Sequence, residues 1–311
     1  MTHVWPRAPR IATRSAADFF KAALSFVVAT MVLFADLRAA WAEEFECVDP
    51  QRRISTYRIA GGHPADALQW PFIVALESNP GQKFFCGGSL VHPSWVVTAA
   101  HCVVSNNQPL PVDGVVVRRI SSSGEANGAR HRIDKLFPHP SYNKPPRTGD
   151  IALIKLAAPA SIETSKLAAI ATQATESTWG QPGTCATVAG WGYVSTNPLI
   201  LAKKLQELNV LVWSHADCRT VWSNIQGPNG QQWMGIEASP HLCAGYKTLI
   251  KDSCRGDSGG PLIVSHGPTG YLLVGVVSFG DVNCGTAHIP GVYTRVSTYR
   301  DWINATIRTN M

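Results

Sequence analysis

The segment Asp252-Ser253-Cys254-Arg255-Gly256-Asp257-Ser258-Gly259-Gly260-Pro261 puts two hydroxyls, two carboxylates, a cysteine and three glycines into ten residues. Glycines on both sides of Ser258 allow a tight turn and let a second backbone come close. The N–H groups of Gly256 and Ser258 can then point into one small space. Such a pair of fixed donors stabilises the oxyanion of acyl transfer, at roughly 3–4 kcal/mol. A serine hydroxyl is a weak nucleophile by itself, so this chemistry requires a base elsewhere in the chain. The plainer alternative is a glycine-rich surface turn.

Two other stretches supply what Ser258 lacks. Val97-Thr98-Ala99-Ala100-His101-Cys102 ends an apolar run with a histidine beside a cysteine, and a half-cystine there would pin the imidazole's backbone. Gly149-Asp150-Ile151-Ala152-Leu153-Ile154-Lys155-Leu156 puts an aspartate at the mouth of an apolar strand. A carboxylate held nearly dry there can fix the imidazole tautomer. Each residue alone reads as a structural or surface group; the three together read as a nucleophile, its base and the base's orienter.

On these motifs the chain resembles the trypsin-like serine proteases of the chymotrypsin family over residues 58–311. The order His101, Asp150, Ser258 is that family's order. The α/β-hydrolases share a Gly-x-Ser-x-Gly pattern but run Ser, acid, His. The resemblance implies that His101 takes the Ser258 proton and returns it to the leaving amine, while Asp150 orients His101 and stabilises its cation. It also implies an all-β fold of two six-stranded antiparallel β-barrels with a C-terminal helix.

Size and composition fit that reading. The chain has 311 residues, 45% of them hydrophobic and 15% charged, with a formal net charge of +6. No basic run or basic–aromatic ladder accompanies the charge, which excludes a nucleic-acid footprint. Eight cysteines, an even number, suit an oxidising compartment. The family pattern pairs Cys86 with Cys102, Cys218 with Cys243, and Cys254 with Cys284. Many relatives bridge a cysteine just before the Gly-Trp-Gly strand to one six residues after the nucleophile. The second position is Val264 here, and Cys185 lies one residue further from Gly190-Trp191-Gly192 than usual. Cys47 and Cys185 remain and are expected to pair, tethering a propeptide to the body. Paired Cys-x-x-Cys or His-x-x-x-His spacing is absent, so zinc is not expected. Calcium is not expected either, because Glu125 is the lone acidic residue in Ser121–Arg130. No cofactor is called for.

Residues 1–42 read as an export leader. Arg7, Arg10, Arg14 and Lys21 precede the apolar run from Ala22 to Ala35, and Ala40-Trp41-Ala42 offers a small-x-small cleavage site. A retained membrane anchor is the alternative, but the run is short for a span. Residues 43–58 read as a propeptide. Arg58-Ile59-Ala60-Gly61-Gly62 resembles the family's activation site, with Arg52-Arg53 as a second basic candidate. Cleavage after Arg58 would free the Ile59 ammonium to meet Asp257, making the chain a zymogen. The expected setting is extracellular or periplasmic, as a monomer with an activating protease, protein substrates and protein inhibitors as partners.

Stepping from Ile59 onward, short apolar runs broken by Gly, Pro and Asn predict strands. In the first barrel, residues 59–170, they are Phe72–Leu76, Phe84–Val91, Trp95–Ala99, Val115–Ile120 and Ile151–Leu156. In the second, residues 171–311, they are Ala186–Trp191, Leu205–Val212, Pro261–Val264, Leu272–Phe279 and Gly291–Val296. The alanine-rich stretch Ser161–Ser177 reads as the connection. Ser297–Arg308 reads as a helix, with Tyr299, Trp302, Ile303 and Ile307 on one face. It carries an Asn304-Ala305-Thr306 sequon.

The resemblance also assigns specificity. Asp252, six residues before Ser258, matches the floor of the pocket that takes Arg or Lys. Gly280 and Gly291 match its walls, and Ser253 adds a hydroxyl near its base. Ser278-Phe279-Gly280 matches the segment that pairs with the substrate backbone, with Phe279 in place of the usual Trp. Arg255 falls at the pocket rim, where a solvated side chain is the alternative to a role in recognition. The loop between Cys218 and Cys243 is longer than in simple relatives and includes Trp233; it either narrows specificity or lies idle at the surface. A catalytically silent homologue acting as a binding module is the rival function, and it normally lacks one of the three residues retained here.

Overall fold

The computed structural model describes Cys47 and residues 62–78, 83–117, 128–142, 148–196, 198–225, 235–249, 251–266, 270–281, 283–284 and 286–311. The expected leader, the Arg58–Ile59 cut site, Glu125 and Trp233 lie outside the described residues.

The first lobe is built from β1 (Ile73–Ser78), β2 (Lys83–His92), β3 (Trp95–Thr98), β4 (Gly114–Val117), β5 (Ala129–His131), β6 (Ile133–Pro138) and β7 (Ala152–Leu156). They form one sheet in the order β5-β4-β1-β2-β3-β7-β6. β3 and β4 are buried along their whole length and β1 along all but its last residue. That is why they read as unbroken Val- and Ile-rich runs rather than alternating ones. β6 is different: its Asp134 and Lys135 are exposed. The expected strand at Val115–Ile120 is Gly114–Val117, and residues 118–127 lie outside the described residues. Among the described residues no pair joins β5 to β6, so this lobe is an open half-barrel.

The second lobe contains β8 (Cys185–Gly190), β9 (Gln206–Val212), β10 (His241–Gly245), β11 (Pro261–His266), β12 (Gly270–Phe279) and β13 (Gly291–Arg295). Their order is β9-β8-β11-β12-β13-β10, and β10 returns to β9 through Leu211↔Gly245 and Val212↔Ala244. This closes a six-stranded antiparallel barrel with no free edge in the ring. The fold is the chymotrypsin-like double barrel expected from the sequence, one lobe closed and the other, among the described residues, a half-barrel.

Two helices finish the lobe. α1 (His215–Ser223) starts at Ser214, whose hydroxyl accepts the Asp217 N–H at 3.0 Å. α2 (Val296–Thr309) follows β13 directly and buries Val296, Tyr299 and Ile303, with the flanking Trp302 and Ile307 half-buried. The expected connection contains the one-turn helix Glu176–Trp179 and the pair Ala169–Ile170, which adds in parallel to β12.

Four disulfides staple the chain: Cys47–Cys185, Cys86–Cys102, Cys218–Cys243 and Cys254–Cys284. The lobes share an interior. One apolar cluster runs from Ile73, Leu90 and Leu153 of the first lobe to Trp191, Val276 and Tyr299 of the second. Among the described residues no helix is long and apolar enough to cross a membrane.

Candidate active site

Register brings His101 and Asp150 together. β3 and β7 are antiparallel with Ala152 opposite Thr98. Continuing past that end of the ladder, residue 150 falls beside residues 100–101. Ala100–Cys102 forms a single 3₁₀ turn, and Cys102 is held to Cys86 of β2. His101 is thereby clamped on both sides. Its backbone N–H donates to Asp150 Oδ1 at 3.0 Å, and its Nδ1 lies 2.9 Å from Asp150 Oδ2.

Asp150 is buried and collects further donors. The Ser278 hydroxyl, from β12 of the other lobe, donates to its Oδ2. Burial pushes the Asp150 carboxyl up, but His101 and the Ser278 hydroxyl more than offset this and hold it below the usual carboxylate range. Its backbone is pinned as well: Thr294 Oγ1 donates to the Asp150 carbonyl at 2.7 Å. The Gly149 N–H donates to the Tyr299 hydroxyl at 2.7 Å. Sequence reading assigned neither Thr294 nor Tyr299, and it gave Ser278 only a backbone role. A signal existed, since Ser278 and Thr294 are hydroxyls at buried positions in apolar strands, where such groups are almost always bonded.

Ser258 sits half-buried on the turn before β11, behind the Cys254–Cys284 bridge. The turn docks on the first lobe: Gly87 N–H donates to the Ser258 carbonyl at 2.7 Å. A side chain on Gly87 would come 3.0 Å from Gly260 Cα. Gly259, at φ +77°, faces Thr98 and Ala99, two to three residues from His101. Only glycine combines that dihedral with that approach. The serine turn and the histidine turn are therefore packed against each other across the lobe interface. Gly256 is also left-handed, at φ +95°. Neither its N–H nor that of Ser258 donates to another described residue.

Two buried carboxylates flank the turn. Asp257 accepts the N–H of Gly192 at 2.8 Å and of Cys254 at 2.9 Å. Any side chain on Gly190 or Gly192 would collide with it. Burial outweighs those two donors and pushes its carboxyl up to about 6. Asp252 accepts the Ser253 N–H at 2.7 Å and faces Gly291, where an added Cβ would lie 2.7 Å from Oδ1. Gly280 borders the other oxygen, with its would-be Cβ at 3.8 Å. Burial, opposed by the Ser253 donors and reinforced by the charges of Asp257 and Asp281, pushes Asp252 up to about 8.

Of the remaining candidates, Phe279 stacks edge-on against Trp222 of α1 at 5.4 Å, so the Cys218–Cys243 region supports the floor under the Ser278–Gly280 segment. Arg255 is exposed. Cys47 lies against the second barrel, where Asn209 Nδ2 donates to its carbonyl at 3.0 Å and its N–H reaches the Tyr246 hydroxyl at 3.3 Å. Cys86, His101 and Cys102 cluster closely enough to suggest a metal site, but the two sulfurs are bonded to each other and His101 faces Asp150.

Two β lobes with a histidine–aspartate pair against a glycine-framed serine turn define a class of hydrolases that attack acyl carbon. The family model for trypsin matches residues 59–303. Trypsin 5G1 of Aedes aegypti is 36% identical over 250 residues, covering 80% of this chain and 85% of its own length. Kallikrein-14 of Homo sapiens is 34% identical over 251 residues, 81% of this chain and 85% of its own. Transmembrane protease serine 11G of Mus musculus is 31% identical over 280 residues, 89% of this chain but 63% of the relative's length. The chain belongs to the trypsin family and is a trypsin-like serine endopeptidase. Members of that family act on protein substrates.

Proposed function

We propose that the chain is a secreted zymogen, activated by cleavage after Arg58, that hydrolyses peptide bonds following Arg or Lys through an acyl-enzyme. Ser258 is the nucleophile, His101 its base and then the acid for the leaving amine, and Asp150 the orienting carboxylate. The N–H groups of Gly256 and Ser258 hold the oxyanion. Residues 1–42 are the export leader and 43–58 the propeptide, held by Cys47–Cys185 after the cut. Residues 59–170 and 171–311 form the two lobes. An activating protease makes the cut, and the freed Ile59 ammonium neutralises Asp257.

The observation that carries the Arg/Lys reading is Asp252. It is 2% exposed, lies between two glycines, and has hydroxyl and N–H donors but no cation among the described residues to balance it. A buried carboxylate in that condition favours a cationic guest and rejects a neutral one. Cleavage of arginyl peptides by Asp252→Ser decides the matter. The variant is expected to lose at least 100-fold in kcat/KM, the scale of leaving a buried charge without its partner. Undiminished cleavage after Arg would refute the assignment.

A further inference from the structure

β6 ends at Pro138, which stands opposite Ala152 of β7. The next residue, His139, arrives beside the turn that carries Asp150. Pro140 has no N–H with which to extend the ladder, so the chain leaves the sheet there. His139 makes the last tie before it does. Its N–H donates to the Ile151 carbonyl at 3.0 Å, and its own carbonyl accepts the Tyr142 N–H at 3.0 Å.

The His139 side chain faces the other neighbour of Asp150. Its Nδ1 lies 3.2 Å from the Ser141 backbone nitrogen and 2.7 Å from the Ser141 hydroxyl. A backbone N–H can only donate, so Nδ1 carries no proton and the ring is the neutral tautomer protonated at Nε2. Burial holds the imidazole below its usual pKa, which keeps that acceptor in place. The ring meets Tyr299 and Trp302 of α2 edge-on, each at 4.8 Å. Tyr299 in turn accepts the Gly149 N–H at 2.7 Å. Gly149, at φ +74°, has no room for a side chain: a Cβ there would lie 2.6 Å from Ser141 Oγ and 3.0 Å from His139 Nδ1. The peptide before Asp150 is wedged between the Ser141–His139 pair and the Tyr299 hydroxyl.

We propose that His139 is a positioning residue for the Asp150–His101 pair: its main chain fixes the residue after Asp150, and its ring, held by Ser141 and backed by Tyr299, fixes the residue before. The inference rests on the reading of Asp150 as the orienting carboxylate given above. Thr294 already holds the Asp150 carbonyl; His139 supplies the hold on both flanks. A carboxylate whose backbone shifts by about 1 Å loses its alignment with His101 Nδ1, and misplacement on that scale costs up to about 100-fold in rate. A ring that only packed α2 against the first lobe would affect stability alone.

The test uses the full chain cut at Arg58. His139→Phe keeps a ring against Tyr299 and Trp302 but removes the Nδ1 acceptor, whereas His139→Asn keeps an acceptor near the Nδ1 position. On an arginyl p-nitroanilide His139→Phe is expected to lose at least about tenfold in kcat with KM within about twofold of the parent, and His139→Asn to recover most of that loss. The acid limb of kcat/KM should move to lower pH in His139→Phe, because a loosened Asp150 stabilises the His101 cation less. Ser141→Ala, a smaller change at the same contact, should give a several-fold version of the same effect and supplies the reading where His139→Phe does not fold. Failure of the parent on the nitroanilide would strike the catalytic reading instead. Titration of the His101 imidazole by NMR, with Ser258→Ala in every form, then decides the clamp without turnover: His101 should titrate at lower pH in His139→Phe than in the parent. An unchanged kcat and an unchanged His101 titration overturn the inference even where the melting temperature falls, as does a kcat loss that His139→Asn leaves in full.

Discussion

On the proposed reading of Asp252 as the floor of the specificity pocket, its raised carboxyl couples ligand binding to proton release. Burial favours the protonated form of Asp252, up to about pH 8 against an ordinary value of 3.8. A bound amidinium pairs with the carboxylate and stabilises its ionised form. Benzamidine binding should therefore expel the proton wherever the free enzyme still holds it. Affinity should rise with pH across the window above 3.8 and level off near pH 8. Within the steep part each pH unit changes affinity by up to about tenfold, or 1.4 kcal/mol. Calorimetry in buffers of different ionisation enthalpy counts the protons released. Asp252→Asn should abolish both the release and most of the affinity. Equal affinity and no proton release at pH 6 and pH 8 would refute the reasoning, because the recess would then hold an ionised carboxylate without help from a guest.

Two further outcomes follow from the packing. Tyr299→Phe removes the acceptor for the Gly149 N–H beside Asp150; it should cost about 1 kcal/mol of stability and several-fold in kcat with KM nearly unchanged, and an unchanged kcat would remove the tyrosine from the positioning of Asp150. Asp257, raised to about 6 with no cation beside it among the described residues, disfavours its own ionisation. Between its ordinary 3.8 and about 6 the folded uncut protein holds more protons than the unfolded chain, so stability falls as pH rises through that window. A freed Ile59 ammonium cancels that loss, so the melting temperature of the cut form should pull ahead of uncut Arg58→Gln as pH rises through that window. Equal melting temperatures throughout would contradict the pairing.

Much of this was legible in the chain. Ile73–Leu76 of β1, all of β3 and Ala152–Ile154 of β7 are buried on both faces and so stand out as apolar runs, and the helical face of Tyr299, Ile303 and Ile307 has the right period. Gly291, read as a pocket wall, stands where an added Cβ would crowd Asp252, while one on Gly280 would only touch it at ordinary contact distance. Other features could not be read locally. β6 is an edge strand whose exposed Asp134 and Lys135 break any apolar run. β10 is short, and its closing pairs with β9 join residues more than thirty positions apart, which no periodicity encodes. The brace on Asp150 was hidden for the same reason: Ser278, Thr294 and Tyr299 come from elements far along the chain and meet it only through tertiary packing. Leu199–Leu201 breaks the usual pattern in the other direction, placing apolar residues where the fold leaves them wet.

The central claim is that Ser258 is an activated nucleophile. The measurement that meets it head-on is treatment of the Arg58-cleaved protein with a fluorophosphonate, followed by peptide mass mapping. One adduct is expected, on Ser258, with turnover of an arginyl ester lost in step. Labelling should all but vanish in His101→Ala, and Ser258→Ala should lower turnover on the order of 10⁶-fold. An adduct on another residue, or full turnover after Ser258→Ala, would contradict the account.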